Sequence, residues 1–180
     1  MGDTYTVERS VHVEAPAERV YDHVVDFHRW PRWSPWEDVD PGQQRTYSGP
    51  GSGVGATYAW EGNRKAGKGT MEIVEAQPSS LVRIDLTFEK PFKARNDTVF
   101  TIEPDGDGSR VTWTMTGRKS LMTKVMGVVM SMDKLLGRDF EKGLARLRSV
   151  AEEPRSPGGP SPSDQSPGSG DPRPGDHPAG

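Results

Sequence analysis

The sequence lacks cysteine altogether, has only four histidines among 180 residues, and has no apolar run long enough to cross a bilayer. The absence of cysteine excludes disulfide bonds, thiolate nucleophiles and cysteine-bound zinc. The absence of a long apolar run, including at the N-terminus, argues against a membrane span and against a secretory signal. We therefore expect a cytoplasmic protein without stable insertion into a membrane.

The part of the chain expected to fold also lacks net charge. Two of the 23 basic and five of the 26 acidic residues lie beyond residue 150, so residues 1–150 hold 21 of each sign. A neutral domain has no net attraction for a nucleic-acid backbone or an anionic membrane. This balance predicts no nucleic-acid partner, but it leaves room for a local basic patch.

The C-terminal segment, residues 154–180, contains no aromatic or large aliphatic residue. It holds eight of the 16 prolines and six of the 21 glycines. Such a segment cannot bury enough apolar surface to offset the entropy lost on ordering. We predict a folded domain over residues 1–153 and a disordered tail over residues 154–180.

Before this tail, several segments alternate apolar and polar residues, as strands with one wet face do. In LVRIDLTFEK, the residues Val82, Ile84, Leu86 and Phe88 share one parity. Similar alternation predicts strands in TYTVERSVHV, VGATYAW, GTMEIVEA, RNDTVFTIEP and SRVTWTMTG, with a hairpin-type turn at EPDGDGS. AERVYDHVVDF predicts a short helix.

A long amphipathic helix is predicted near the end of the folded part. Between Leu121 and Leu147, large apolar residues recur every three or four positions, and Gly127 or Gly137 could bend the helix. Consecutive antiparallel strands with helices segregated to one face are typical of an α+β domain.

Taken together, five segments resemble the polyketide cyclase/dehydrase branch of the SRPBCC (START-like) superfamily: VEAPAERVYDHVVDFHRWPRWSPWED, GVGATYAWEGN, GKGTMEIVEAQPSSLVRIDLTFEKPF, VTWTMTG and GRDFEKGLARLRSVAE. The resemblance implies a helix-grip fold: a seven-stranded antiparallel sheet curved around a long C-terminal helix, with two short helices between the first two strands. It also implies a deep apolar cavity between sheet and helix. Members include lipid carriers, ligand receptors and polyketide cyclases, so the family fixes the fold better than the reaction.

Three tryptophans, Trp30, Trp33 and Trp36, lie at spacings of three in DFHRWPRWSPWED. A nucleic-acid surface would need aromatics along a basic groove, whereas this cluster ends in acidic residues. In the implied fold we predict that the three line the ligand pocket, with Trp30 at its rim. The alternative is that Trp33 and Trp36 only close one end of the core.

The implied fold and the strand parities predict the other ligand-contacting residues. Asn96 and Thr98 share the inward parity and could orient a ligand carbonyl or hydroxyl, but neither titrates near neutral pH, so they are poor general acids or bases. The methionines suit either an adaptable pocket or an ordinary core. The predicted lining is Tyr58, Trp60, Met71, Ile84, Leu86, Phe88, Asn96, Thr98, Phe100, Trp113 and Met115 from the strands, and Val125, Met126 and Val129 from the helix.

Motifs for catalysis or cofactors are lacking. GNRKAGKG resembles a phosphate-binding loop, but Gly69 stands where Ser or Thr would hold Mg²⁺, and the next residues alternate like a strand, so we predict a turn. No Ser-His-Asp order, HExxH motif or metal-ligand spacing occurs. We therefore predict neither a metal nor a cofactor.

Three hypotheses for function follow. The first is a binding module that holds a hydrophobic small molecule such as a lipid, isoprenoid or polyketide. The second is a polyketide cyclase/aromatase or dehydratase, which would need a titratable group pointing into the cavity. The third is a protein-binding role, which no specific feature supports. The sequence leaves the oligomeric state open.

Overall fold

The computed structural model describes residues 4–119 and 132–154. Within these ranges the chain forms seven strands, two α-helices and one 3-10 helix. Their bounds are β1 (Thr4–Val13), α1 (Ala17–Val24), the 3-10 helix (Phe27–Arg32), β2 (Gln44–Ser48), β3 (Thr57–Glu61), β4 (Lys68–Gln77), β5 (Leu81–Lys90), β6 (Ala94–Asp105), β7 (Gly108–Arg118) and α2 (Met132–Glu152).

The seven strands form one sheet in the order β1-β7-β6-β5-β4-β3-β2, and all neighbouring strands are antiparallel. Helix α2 packs against β1 and against the face of the sheet that carries Trp113, and α1 packs between α2 and the central strands. We call this covered side the inner face. The arrangement confirms the predicted α+β helix-grip fold.

The two short helices follow from local sequence. Helix α1 begins after Pro16, whose φ of −63° suits the start of a helix, and it buries Val20 and Val24. The 3-10 helix begins where the Asp26 carboxylate accepts the backbone N–H of His28 at 2.9 Å. Such a cap satisfies a backbone donor that the helix itself leaves unpaired.

Helix α2 is fixed to the sheet through a charged residue on the inner face. The guanidinium of Arg9, in β1, contacts Asp133 at 2.8 Å and Glu141 at 3.1 Å. The hydrogen bonds that Arg9 donates to Asp133, and then to Glu141, raise the pKa of its guanidinium. A Cβ at Gly137 would overlap the Arg9 guanidinium, so the glycine lets Arg9 lie against the helix, which continues unbroken through this position.

The far end of α2 is tied to the start of α1. Glu152 accepts the backbone N–H of Glu14 at 2.8 Å, and Arg32 contacts the Glu153 carboxylate at 2.6 Å. The backbone carbonyl of Glu153 also accepts a hydrogen bond from Arg19. Helix α2 is therefore held at both of its ends.

Two other predictions concern connecting segments. Residues 62–67 of the phosphate-loop-like stretch form a turn between β3 and β4, in which the Asn63 side-chain carbonyl accepts the N–H groups of Lys65 and Ala66 at 2.9 and 3.0 Å. The prediction of a turn is confirmed. The part of the long helix predicted before Met132 and the predicted tail after Pro154 lie outside the described residues.

Candidate functional site

The inner face of the sheet is lined mainly by apolar side chains, with a few neutral polar groups among them. The strand register places Thr98 between Ile84 and Met115, and Asn96 between Leu86 and Gly117. The strand residues predicted to point inward do so: Tyr58, Ile84, Leu86, Asn96, Thr98, Phe100, Trp113 and Met115 are buried, and Trp60, Met71 and Phe88 are partly buried against the core. Contact with a ligand stays a prediction for all of them.

An aromatic cluster closes the inner face where α2 crosses it. Trp113 stacks on Phe140 of α2, with ring centroids 4.1 Å apart and planes 3° apart, and on Phe100 at 4.8 Å. Trp33 and Trp36 meet Trp113 edge-on at 6.0 and 5.5 Å. Edge-to-face and offset-stacked geometries at these distances are favourable. The cluster is packed as a core, which supports the alternative that Trp33 and Trp36 close one end of the domain.

Trp30 lies in the core, and the prediction that it occupies a rim is wrong. Only 3% of Trp30 is exposed, and its indole N–H donates to the Val24 carbonyl at 2.9 Å. The Trp33 indole likewise donates to the His23 carbonyl at 3.0 Å. Both carbonyls lie near the end of α1, where backbone acceptors lack partners within the helix. The two indoles supply those partners, and this turns Trp30 inward.

A hydroxyl–amide pair lies nearest the end of the inner face where β1 begins. The Tyr5 hydroxyl donates to the Asn96 side-chain carbonyl at 3.2 Å, and burial raises the pKa of Tyr5. A Cβ at Gly117 would overlap the Asn96 oxygen, so glycine makes room for the pair. Sequence reasoning found Asn96 but missed Tyr5, although Tyr5 shares the parity of Val7. The Tyr5 hydroxyl engages the Asn96 side-chain carbonyl, and no hydrogen bond from the Asn96 amide NH₂ to another described residue is found.

Next to this pair, Thr98 carries a buried hydroxyl that finds no hydrogen-bond partner among residues 4–119 and 132–154. Only 3% of Thr98 is exposed, and its Oγ1 has no contact with solvent. The indole N–H of Trp113 is buried without a partner as well. Most buried polar groups are paired, and an unpaired one costs free energy, so each such group calls for an explanation.

On the side of β2 and β3, the inner face is more polar. Arg45 donates to Glu37 at 2.9 Å, and the Tyr58 hydroxyl lies 3.4 Å from the Gln43 amide nitrogen. Burial, and then the negative charge of Glu37, raise the pKa of Tyr58. The neighbouring Trp60 uses its indole N–H to bind the Ala66 carbonyl at 2.9 Å. The polar groups of these side chains therefore already have hydrogen-bond partners within the protein.

The predicted helix residues Val125, Met126 and Val129 lie outside the described residues, so their contribution stays a prediction. Among residues 4–119 and 132–154, no group of His, Asp and Glu side chains converges as a metal site would. No helix in these ranges is long and apolar enough to cross a membrane.

Two cavities open at the surface of the described part of the chain. A cleft of about 130 Å³ lies beneath the glycine-rich loop after β2, where the His28 ring stacks on Tyr47 at 4.2 Å. An open groove of about 870 Å³ lies near the turn between β5 and β6; its lining includes Asp85 and Arg95 and also Asn96 and Gly117 of the inner face. Ligand pockets usually measure about 300–1,000 Å³ and enclose most of the ligand, so the first is small and the second is an open surface groove rather than an enclosed pocket.

Comparisons with solved structures show the same architecture at low sequence identity. A protein from Chromobacterium violaceum is 18% identical with a TM-score of 0.59, covering 86% of this chain and 100% of that one. A major latex-like protein from Panax ginseng is 13% identical with a TM-score of 0.60, covering 84% and 100%. DynU16, a protein of the dynemicin biosynthetic locus, is 18% identical with a TM-score of 0.56, covering 82% of this chain and 47% of that one.

These likenesses and the sheet gripping a C-terminal helix define the class: a helix-grip domain. The sequence model of the family described as "Polyketide cyclase / dehydrase and lipid transport" matches residues 4–152. The chain belongs to this family, as its sequence motifs predicted. A search of curated proteins found no match.

Proposed function

We propose that this protein binds a hydrophobic small molecule, such as a lipid, an isoprenoid or a polyketide, against the inner face of its sheet. The family description, which includes lipid transport, and the apolar lining support the proposal. Apolar area buried by the ligand would supply affinity at about 25 cal/mol per Å².

The observation that carries the proposal is the buried, unpartnered hydroxyl of Thr98 beside Asn96. In an ordinary core, evolution tends to remove or pair such a group because it costs stability. Thr98 and the Asn96 amide could both donate to one oxygen of a ligand, since they lie two residues apart on the same face of β6. We therefore expect a mostly apolar ligand with a carbonyl, ether or hydroxyl oxygen.

The first test is native mass spectrometry of the purified full-length protein, followed by solvent extraction and identification of the bound compound. We expect a noncovalent complex whose extracted component is apolar and carries an oxygen acceptor. N-phenyl-1-naphthylamine, a neutral fluorescent probe, then reports occupancy of the ligand-depleted protein. A ligand-free protein that also fails to take up the probe would contradict the proposal.

A cyclase or dehydratase activity is the second candidate, and the Tyr5–Asn96 pair favours it. A phenol on the inner face, in contact with an amide, could transfer a proton to or from a bound chain. Incubation of the protein with the extracted compound, monitored by mass spectrometry, would reveal loss of one water or ring closure. Tyr5→Phe should abolish this conversion and keep binding, whereas equal conversion by both proteins would exclude Tyr5 as the acid.

A further inference from the structure

The connections between strands at the two ends of the sheet differ in charge. Because all neighbouring strands are antiparallel, residues 62–67, 91–93 and 118–119 lie at one end. The strand pairing brings these segments side by side: Glu61 pairs with Lys68, and Lys68 pairs with Lys90. Residues 94–96 pair with residues near the end of β5 and of β7, so the three segments are neighbours. We call this the basic end.

Six exposed cations lie at the basic end, five of them in its three segments and one at the last residue of β5, and the three segments contain no acidic residue. Three acids border the basic end: the Asp40 carboxylate accepts the backbone N–H of Asn63 at 2.8 Å, and Glu61 and Glu89 lie 3.7 and 3.6 Å from the amino group of Lys68, which balances part of their charge. None of the six cations forms an ion pair with another described residue. The six are Arg64, Lys65, Lys90, Lys93, Arg118 and Lys119.

The opposite end has a different character. Its connections over residues 49–56 and 78–80 carry no charge, and the turn between β6 and β7 carries the acidic Asp107. The charges of residues 1–150 therefore cancel in sum, but they are distributed unevenly between the two ends of the sheet. Such a distribution orients a protein toward an anionic surface even when its net charge is close to zero.

An exposed aromatic side chain lies at the tip of the basic end. Phe92 is 59% exposed in the turn between β5 and β6, between Pro91 and Lys93. Val54, on the loop at the opposite end, is 58% exposed, and its neighbours in sequence are the uncharged Ser52, Gly53 and Gly55. An exposed apolar group ringed by lysine and arginine fits the headgroup region of an anionic bilayer, where the ring leaves water and the cations meet phosphates.

We propose that the basic end docks peripherally on an anionic lipid bilayer, with Phe92 entering the headgroup region. A nucleic acid is the poorer fit, because single strands are bound by several aromatics along a basic groove, and this end presents one phenyl ring on a projecting turn. The Tyr5–Asn96 pair lies in β1 and β6 close to this end. Docking would therefore bring the inner face close to the membrane.

The test is co-sedimentation of the full-length protein with vesicles of phosphatidylcholine alone or mixed with phosphatidylglycerol. We expect binding to the mixed vesicles that weakens as salt rises, and little binding to the neutral ones. Lys93→Glu should weaken binding to mixed vesicles by about ten-fold, since it reverses one charge at the surface. Lys142→Glu, the same charge change on an exposed residue of α2, is the matched control and should bind as the parent does.

Phe92→Ser tests the aromatic tip, with Val54→Ser as its control at equal exposure. We expect Phe92→Ser to weaken binding several-fold and Val54→Ser to leave it unchanged. Absence of vesicle binding at low salt, equal binding to neutral vesicles, or equal loss in the control variants would overturn the proposal. Tighter binding to a nucleic-acid oligomer, competing with vesicles, would assign the surface to that partner. No ligand is added, so this result is independent of the ligand-binding proposal.

Discussion

Replacement of Thr98 by valine should make the protein more stable and a poorer binder. Valine has nearly the shape of threonine, and a methyl group would replace a hydroxyl that is buried without a partner. Leaving a buried polar group unpaired costs about 1–3 kcal/mol, so Thr98→Val should recover roughly 1 kcal/mol or more in the ligand-free protein. For a domain of this size, 1 kcal/mol corresponds to a rise in Tm of about 2–4 °C.

The same substitution removes a hydrogen bond to the ligand. A neutral hydrogen bond contributes about 0.5–1.5 kcal/mol, so affinity for an oxygen-bearing ligand should fall by roughly 2- to 10-fold. Affinity for a hydrocarbon-like probe such as N-phenyl-1-naphthylamine should stay within about two-fold, because the probe offers Thr98 no oxygen acceptor.

Differential scanning calorimetry and titration with the extracted compound measure the two effects. Thr98→Ser keeps the hydroxyl and should retain the preference for an oxygen acceptor, although the lost methyl lowers stability. Thr112→Val, on the outer face of the neighbouring strand, is the matched control and should change neither quantity in the same way. A destabilised Thr98→Val would refute the reasoning, because it would show that the hydroxyl is paired in the folded protein.

Two further predictions concern His23 and Gly69. His23 is 8% exposed, and burial, followed by the charges of Arg29 and Arg32, lowers its pKa from the ordinary 6.5. The unfolded chain therefore takes up a proton before the folded one does, so stability should fall as pH drops below about 6.5. Tm measured at about pH 7.5 and pH 5.5 should differ less in His23→Gln, and an unchanged difference would exclude His23 as the cause. A Cβ at Gly69 would overlap the Trp60 ring and lie 2.5 Å from the Thr87 carbonyl oxygen. Gly69→Ala should therefore cost about 1–3 kcal/mol in urea unfolding, whereas a neutral result would show that Trp60 moves freely.

The alternation of apolar and polar residues predicted most of the strands and most of the inner-face residues. In a strand with one buried and one solvent-exposed face, every second side chain points to the buried face and is apolar. β5 and β6 illustrate this, with Ile84 and Thr98 where parity put them. The alternation did not single out β2. That strand is a five-residue edge strand with no buried residue, so it carries little apolar pattern.

Features fixed by distant partners could not be predicted. Arg9 breaks the apolar parity of β1, and its partner Asp133 lies 124 residues away in the sequence. Trp30 was placed at a rim because arginines flank it, but the backbone acceptor at Val24 draws its indole inward. Tyr5 acquires its role only through Asn96, 91 residues later. The contacts of Arg9 and Tyr5 are distant in sequence, and that of Trp30 depends on how the chain turns after α1; local periodicity predicts none of the three.

The anchoring of α2 at both ends has a consequence for how the domain opens. Arg9 holds the first turns, and Glu152 and Glu153 hold the last against α1 and the residues on either side of it. Between them, Phe140, Leu144 and Leu147 are fully or almost fully buried. Local opening requires a segment with few buried contacts, so these amides should exchange their hydrogens only when the whole domain unfolds. Helix α2 and β1 should thus be the last parts of the described domain to open.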